Sequence, residues 1–171
     1  MWGQSKTDAD DSFRELFRVY GPSLSRLAAS YTLNSAERDD LLQEIAMAIW
    51  QALPRFRGES SEKTFLFRIA QNRAISHLTR RPPSEHELDE AIELPDDRHN
   101  PENVVSKEER MARLLKAIRR LPVQYRQVLT LSLEDLDYRE IAEVLGISES
   151  NVGVRLNRAR QLLRQTMGVL Q

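Results

Sequence analysis

The sequence predicts an all-α protein in which two small helical domains are joined by a flexible acidic linker. Apolar residues recur at helical spacing on both sides of the centre, and no stretch alternates like a strand. The central segment 82–105, PPSEHELDEAIELPDDRHNPENVV, contains four prolines and carries a net charge of −7. By contrast, residues 1–81 carry +2 and residues 106–171 carry +4. We therefore expect domains at 1–81 and 106–171; the alternative is one domain with an unusually long surface loop.

The composition narrows the class of protein. The 171 residues include no cysteine, which excludes disulfides, thiol catalysis and Cys-ligated zinc. No apolar run approaches the ~18 residues of a membrane span, and the start, MWGQSKTDADD, lacks the features of a secretory signal. The three histidines are scattered, and no phosphate-binding loop is present. We expect a cytoplasmic protein with no membrane insertion, no catalytic site, no cofactor and no metal.

Three helices are predicted in the N-terminal part. The first has an apolar face formed by Phe13, Leu16, Phe17, Tyr20, Leu24 and Leu27. Pro22 is expected to break or kink this helix. The second helix is expected to start after Ser35 as N-cap and to stop at Leu53–Pro54. The third is expected from about Phe65 to Arg80, before Pro82 and Pro83.

The second helix has an unusual polar face. With Leu42 at the centre of its apolar face, the opposite face holds Asp40, Gln43, Glu44, Met47 and Trp50. Mixed acidic and aromatic surfaces suit protein contacts, in which Trp is a frequent anchor. The alternative is that Trp50 packs on a neighbouring helix.

The third helix carries a polar stripe at one-turn spacing. Its members are Arg68, Asn72, Ser76 and Arg80, and the preceding loop RFRGESSEKT (55–64) adds Arg57 and Lys63. Such a stripe suits a nucleic-acid backbone and base edges, and basic residues beside Phe56 can hold unstacked single strands. An ordinary surface helix with a mobile loop is the alternative.

Four helices are predicted in the C-terminal part: about Ser106–Arg120, Pro122 to about Leu133, and two in a helix-turn-helix. Asp137 and Glu140 form a capping-box pattern, Gly146 suits the turn, Ile147 would fill the space between the two helices, and Ser148 can cap the last one. Arginines 155, 158, 160 and 164 follow without any acid. We expect DNA binding through this helix, although a solvated basic face on a packing helix is the alternative.

Three segments in order resemble the extracytoplasmic-function (ECF) sigma factors of bacterial RNA polymerase. DDLLQEIAMAIWQALPRFRG (39–58) is similar to the helix of this family that binds core polymerase and the segment after it. KTFLFRIAQNRAISHLTRR (63–81) is similar to the −10 promoter-reading helix. LPVQYRQVLTLSLEDLDYREIAEVLGISESNVGVRLNRARQLLR (121–164) resembles the −35-reading domain. The rival interpretation is a helix-turn-helix repressor or activator whose N-terminal part dimerises or senses a ligand.

The resemblance implies a role for each surface. The residues implied in core polymerase binding are Asp40, Gln43, Glu44, Met47 and Trp50. The residues implied in −10 binding are Arg57, Lys63, Arg68, Asn72, Arg73, Ser76 and Arg80. The residues implied in −35 binding are Ser148, Glu149, Ser150, Asn151, Gly153, Val154, Arg155 and Arg158. The acidic linker would thread through the active-site cleft and RNA exit path of the polymerase, and an anti-sigma factor is a further expected partner.

The sequence departs from the family pattern at three places. Phe65 stands where tryptophan is usual, and Ser76 stands where aspartate is usual. The recognition helix reads Asn151-Val152-Gly153-Val154-Arg155, without the usual cation at 153. Because a glycine side chain cannot bond to a base, we expect −35 recognition to rely more on DNA shape and backbone contacts.

Overall fold

A computed structural model describes residues 2–80 and 106–168, with side chains from Asp10 onward. These two ranges form seven α-helices and no strand. The helices are α1 (Trp2–Ala29), α2 (Ser35–Ala52), α3 (Glu62–Arg80), α4 (Lys107–Arg119), α5 (Val123–Leu133), α6 (Tyr138–Leu145) and α7 (Glu149–Gly168). The all-helical prediction is confirmed, while the predicted linker 82–105 lies outside the described residues.

Helices α1, α2 and α3 pack on one another and form the N-terminal unit. Their facing stripes supply a common core, because residues three or four apart lie on one side of a helix. Its fully buried members are Leu24, Leu27, Tyr31, Leu41, Ile45, Ile49, Leu66, Phe67, Ala70 and Ala74. On α2 the buried stripe is centred on Leu41 and Ile45, so the polar residues assigned to the opposite face do point outward.

The structure decides two predicted boundaries in the N-terminal unit: Pro22 does not break α1, and Ser35 is not the N-cap of α2. α1 continues through Pro22 without a break; Leu16 before it and Leu24 after it are both buried against the same core, which holds the two halves in one helix. α2 is capped by Asn34, not Ser35: the Asn34 side chain accepts a hydrogen bond from the Glu37 backbone N–H at 2.9 Å. Asparagine is as good an N-cap as serine, so composition alone does not separate them.

Helices α4 to α7 form the C-terminal unit, and its predicted signals are confirmed. Asp137 and Glu140 make both hydrogen bonds of a capping box at the start of α6. Gly146 ends α6 in the left-handed conformation, with φ +66°, which a residue with a Cβ adopts only at a cost. The core of this unit includes Val128, Leu131, Ile141, Val152, Leu156 and Ala159, and Ile147 packs against it.

The two units pack against each other through buried polar groups. The Tyr31 hydroxyl donates to Gln71 Oε1 at 3.0 Å, and Gln71 Nε2 donates to Thr130 Oγ1 at 3.4 Å. The guanidinium of Arg126 lies over the Tyr31 ring, 5.5 Å from its centroid. All four side chains are buried. Polar groups so enclosed need each other as partners, so this network favours one arrangement of the units.

Two arginines extend this contact between the units. Arg119 of α4 donates to the carbonyl oxygens of Ala29 and Leu33, at the end of α1 and just beyond it. Carbonyls at a helix C-terminus lack helical donors, which makes them ready acceptors. Arg26 of α1 pairs with Glu134, which directly follows α5. The described part of the chain is therefore one continuous helical assembly.

Candidate nucleic-acid and protein interfaces

The outer face of α2 is an exposed acidic and apolar surface. Asp40, Gln43, Met47 and Trp50 are exposed and Glu44 is half-buried. Trp50 is 43% exposed: one edge of its indole contacts α1, as the alternative interpretation expected, and the rest of the residue lies at the surface. Partly exposed indoles on acidic faces are frequent anchors of protein contacts.

Two contacts tie this face to other helices. Trp50 Nε1 donates to Asp10 Oδ1 of α1 at 2.9 Å. Arg80, at the end of α3, donates to Glu44 Oε2 at 2.6 Å. Asp10 lies 40 residues from Trp50 in the chain, and no local pattern links them. The Arg80–Glu44 pair places the end of the α3 stripe beside the α2 face.

The polar stripe of α3 forms as predicted on the surface. Asn72, Ser76 and Arg80 are exposed one turn apart, Arg73 is exposed beside them, and Arg68 is half-buried. The Ser76 hydroxyl donates to the Asn72 carbonyl at 2.9 Å. This bond within the helix leaves the two lone pairs of Ser76 Oγ as its remaining hydrogen-bonding capacity.

The loop before α3 is built on an aromatic pair. The rings of Phe56 and Phe65 lie 4.6 Å apart between centroids, and Gly58 adopts φ +72°. Arg57 is exposed between them in the chain. Phe65 is half-buried, so it supports the loop and is not a fully buried core residue. The aromatic pair therefore supports the loop, and the exposed Arg57 follows Phe56 directly in the chain.

The first turns of α3 face the C-terminal unit. Lys63 Nζ donates to the Asp135 carbonyl at 2.8 Å. Arg68 donates to the Glu143 carbonyl at 3.3 Å and to Glu143 Oε1 at 3.2 Å. These two cations of the predicted −10 surface thus contact oxygen atoms of the other unit, while the remaining members of the surface stay exposed.

The helix-turn-helix consists of α6 and α7, joined through Gly146. Ser148 Oγ accepts a hydrogen bond from the Asn151 backbone N–H at 3.1 Å and so caps α7, as predicted. On α7 the buried stripe is Val152, Leu156 and Ala159. Ser150, Val154 and Asn157 therefore lie on the opposite, exposed face at i, i+4 and i+7.

Several side chains on α7 have partners within the helix. Asn151 Oδ1 accepts from Arg155 Nε at 2.9 Å, and Arg158 donates to Gln161 Oε1 at 2.8 Å.

Glu149 is exposed and Gly153 half-buried. A Cβ on Gly153 would lie 3.4 Å from Cε2 of Tyr138, the first residue of α6. Sequence reasoning did not identify Tyr138, whose signal was only its position at the start of the helix-turn-helix.

Burial and pairing change two acid–base equilibria at the contact between the units. Burial raises the pKa of Tyr31 above its ordinary value of 10.0, while hydrogen bonds to Thr130 and Gln71 and the Arg126 charge partly oppose this. The hydrogen bond to Glu134 raises the pKa of Arg26. Both shifts favour the protonated forms that this contact uses.

Residues 2–80 and 106–168 contain no cluster of three or more His, Cys, Asp or Glu side chains arranged to hold a metal ion. Among the helices described above, none is long and apolar enough to cross a membrane.

Comparison with known proteins gives a family match for each of the two units. The sigma-70 region 2 family matches residues 16–82, and the sigma-70 region 4 family matches residues 111–163. The chain is 31% identical over 166 residues to the RNA polymerase sigma-H factor of Pseudomonas aeruginosa, covering 91% of this chain and 86% of that protein. It is 33% identical over 162 residues to the ECF RNA polymerase sigma-E factor of Escherichia coli, covering 89% and 84%.

The fold is also found in a solved structure of the sigma factor RpoE in complex with the anti-sigma factor NepR from Bartonella quintana. The TM-score is 0.71 at 22% identity, over 94% of this chain and 99% of that one. The rival interpretation as a simple repressor or activator does not account for a region 2 match in the N-terminal part. The chain belongs to the ECF sigma factors, non-enzymatic proteins that bind core RNA polymerase and promoter DNA to direct transcription initiation.

Proposed function

We propose that this sigma factor has three separate binding surfaces. The outer face of α2 binds core polymerase, the exposed part of α3 with its loop binds the −10 element, and α7 binds the −35 element. The observation that carries the proposal is the exposure of Trp50 and Met47 on an otherwise polar helix face. Met47 and Trp50 lie one helical turn apart, and adjoining exposed apolar side chains rimmed by polar residues are typical of protein interaction sites.

The polymerase surface combines apolar anchors with a rim of charge. Met47 and Trp50 are one helical turn apart, with Asp40, Gln43 and Glu44 toward the start of α2. Apolar anchors surrounded by polar groups are the common arrangement of energetically dominant interface residues. The hydrogen bond that the indole nitrogen donates to Asp10 fixes one edge of Trp50 and leaves the rest of the ring for a partner.

A pull-down with core polymerase tests this surface. Trp50→Ala is expected to weaken binding by tenfold or more, since buried Trp anchors contribute roughly 2 kcal/mol or more. Leu133→Ala is the matched control, because Leu133 is also a large exposed apolar residue but lies in the C-terminal unit. Circular dichroism checks that both variants remain helical. Equal retention of wild type and Trp50→Ala by the core enzyme contradicts the assignment.

The −10 surface is suited to bases that have left the duplex. Asn72, Arg73 and Ser76 offer exposed polar groups along α3, and Arg57 projects from the loop beside them. A protein that binds only unstacked bases shifts the equilibrium between duplex and open promoter toward the open form. Capture of single-stranded −10 DNA by the holoenzyme, reduced in Asn72→Ala and Arg73→Ala, is the expected result.

The contact between the units is a closed resting arrangement that has to open for promoter recognition. Lys63 and Arg68 belong to the −10 surface, yet both are bonded to oxygen atoms of the C-terminal unit. Glu143 neutralises part of the charge of Arg68, so a phosphate is attracted less strongly to this arginine while the units are in contact. We expect binding to core polymerase to separate the units, with the acidic segment 82–105 joining domains 1–81 and 106–171 and threading through the polymerase cleft.

The same contact suggests how the factor is held inactive. A structural relative was solved in complex with an anti-sigma factor, and a protein of that class, bound across the two units, would stabilise the closed arrangement. The site of action is the cytoplasm, where core polymerase is found. In vitro transcription with purified core polymerase tests the whole proposal: promoter-specific transcripts from a genomic library are expected only when this protein is added.

A further inference from the structure

The exposed side of the helix-turn-helix carries apolar groups from two residues, Tyr138 and Val154. Val154 is 67% exposed and Tyr138 is 44% exposed. Gly153 lies beside Val154 in the chain, and the position of its missing Cβ is 3.4 Å from the Tyr138 ring. Tyr138 and Val154 thus both lie next to Gly153, one in space and the other in the chain. This apolar pair is formed by two different helices, which no pattern within one helix predicts.

The polar side chains nearby leave this apolar pair prominent. Ser148 Oγ accepts the α7 capping bond, and Asn151 Oδ1 accepts from Arg155. Ser150 and Glu149 remain as exposed polar residues in the first turn of α7. Val154 and the ring of Tyr138 therefore add exposed apolar surface between the polar groups of this face.

In a major groove, the apolar group that a protein can recognise is the 5-methyl group of thymine. We infer that Tyr138 and Val154 form a pocket for a thymine methyl group in the −35 element, and that Tyr138 is a specificity-determining residue. The inference rests on the −35 role proposed for α7. The inference also explains why position 153 has no cation. The Tyr138 ring lies beside the position from which a long side chain would project.

The test uses holoenzyme assembled from the full chain and core polymerase. Selection from duplexes with a randomised −35 region is expected to return a thymine at a fixed position. Replacing that thymine by deoxyuridine removes only the methyl group. Wild-type affinity is then expected to fall about fourfold, the effect of one buried carbon.

Variants show which side chains sense the methyl group. Tyr138→Ala and Val154→Ala are expected to bind thymine and uracil duplexes equally, and Tyr138→Phe is expected to keep the uracil penalty because it keeps the ring. Val154 is so exposed that Val154→Ala keeps the fold, which makes the test independent of any effect of Tyr138→Ala on stability.

The outcomes are separable. A full uracil penalty in both alanine variants, or the loss of the penalty in Tyr138→Phe, overturns the inference and leaves the role of α7 intact. A selected −35 site with no required thymine also overturns the inference and leaves the role of α7 intact. Holoenzyme with no −35 preference of any kind overturns the inference together with the −35 role proposed for α7.

Discussion

Arg26 of α1 donates two hydrogen bonds to the carboxylate of Glu134, at 2.9 Å from Nε and 2.7 Å from Nη2. The two residues are 108 positions apart and belong to different units. Their environments differ, because the Arg26 side chain is 62% exposed whereas that of Glu134 is only 7% exposed. The contact between the units therefore depends on the arginine to satisfy a carboxylate that water barely reaches.

This asymmetry predicts unequal effects of removing each partner. Arg26→Ala leaves the Glu134 carboxylate buried without its main donor, which costs roughly 1–3 kcal/mol. Glu134→Ala leaves a mostly solvated arginine and is expected to cost about 1 kcal/mol or less. The open population in small-angle scattering is expected to rise more in Arg26→Ala. An equal or larger change in Glu134→Ala contradicts the role given to the buried carboxylate.

The helix-turn-helix was predicted almost residue by residue, because its signals are local. A capping box, a left-handed glycine and a capping serine each act within about four residues, and all of them are present in the structure. The outer face of α2 was also predicted, although its buried stripe is centred on Leu41 and not on Leu42. Helical period fixes which side is apolar but only approximately its centre.

The contacts that close the molecule could not be predicted. The Tyr31–Gln71–Thr130 chain and the Lys63 and Arg68 bonds join residues from about 40 to 75 positions apart. Each involves a polar residue that would be equally plausible at a surface. Only the packing of the two units decides that these groups are partners, and periodicity carries no information about that packing.

Raising the pH above 10 is expected to weaken the closed fold through Tyr31. The folded pKa of Tyr31 lies above 10.0 because burial favours the neutral hydroxyl. Its contribution to stability is thus fully present below pH 10 and is lost as the pH rises toward the folded pKa. Tyr31→Phe is expected to cost about 1 kcal/mol near pH 8, through the lost bond to Gln71, and less above pH 10.

Urea unfolding at pH 8 and pH 10.5 measures this effect, with Tyr125→Phe as the matched control at a half-buried tyrosine. The free energy of unfolding of the wild type is expected to fall more between pH 8 and pH 10.5 than that of Tyr31→Phe. If the two fall equally, Tyr31 ionises without disturbing the fold.

Two glycines of the helix-turn-helix are expected to respond to alanine with opposite signs. Gly153 is inside α7, where a Cβ meets Tyr138 at an ordinary contact distance of 3.4 Å. Gly153→Ala is therefore expected to stabilise the protein by about 0.5–1 kcal/mol through helix propensity. Gly146→Ala is expected to destabilise it by about 1 kcal/mol or more, because φ is +66° there. Thermal unfolding of the two variants measures both effects. A fall in Tm for Gly153→Ala means that the Tyr138 ring cannot accommodate the methyl group.

The arginines of α7 are expected to act through phosphates and not through bases. Asn151 holds Arg155 by a 2.9 Å bond, and Arg158 lies one turn further along the same side of the helix. Each phosphate contact contributes about 0.9 to the slope of log affinity against log salt concentration. Arg155→Ala and Arg158→Ala are each expected to lower that slope by about one for holoenzyme on −35 duplexes, with base preference unchanged. Arg164→Ala is the control, because Arg164 is exposed but nearly two turns beyond Arg158. A slope unaffected by the first two substitutions assigns Arg155 and Arg158 to the packing and solvation of α7.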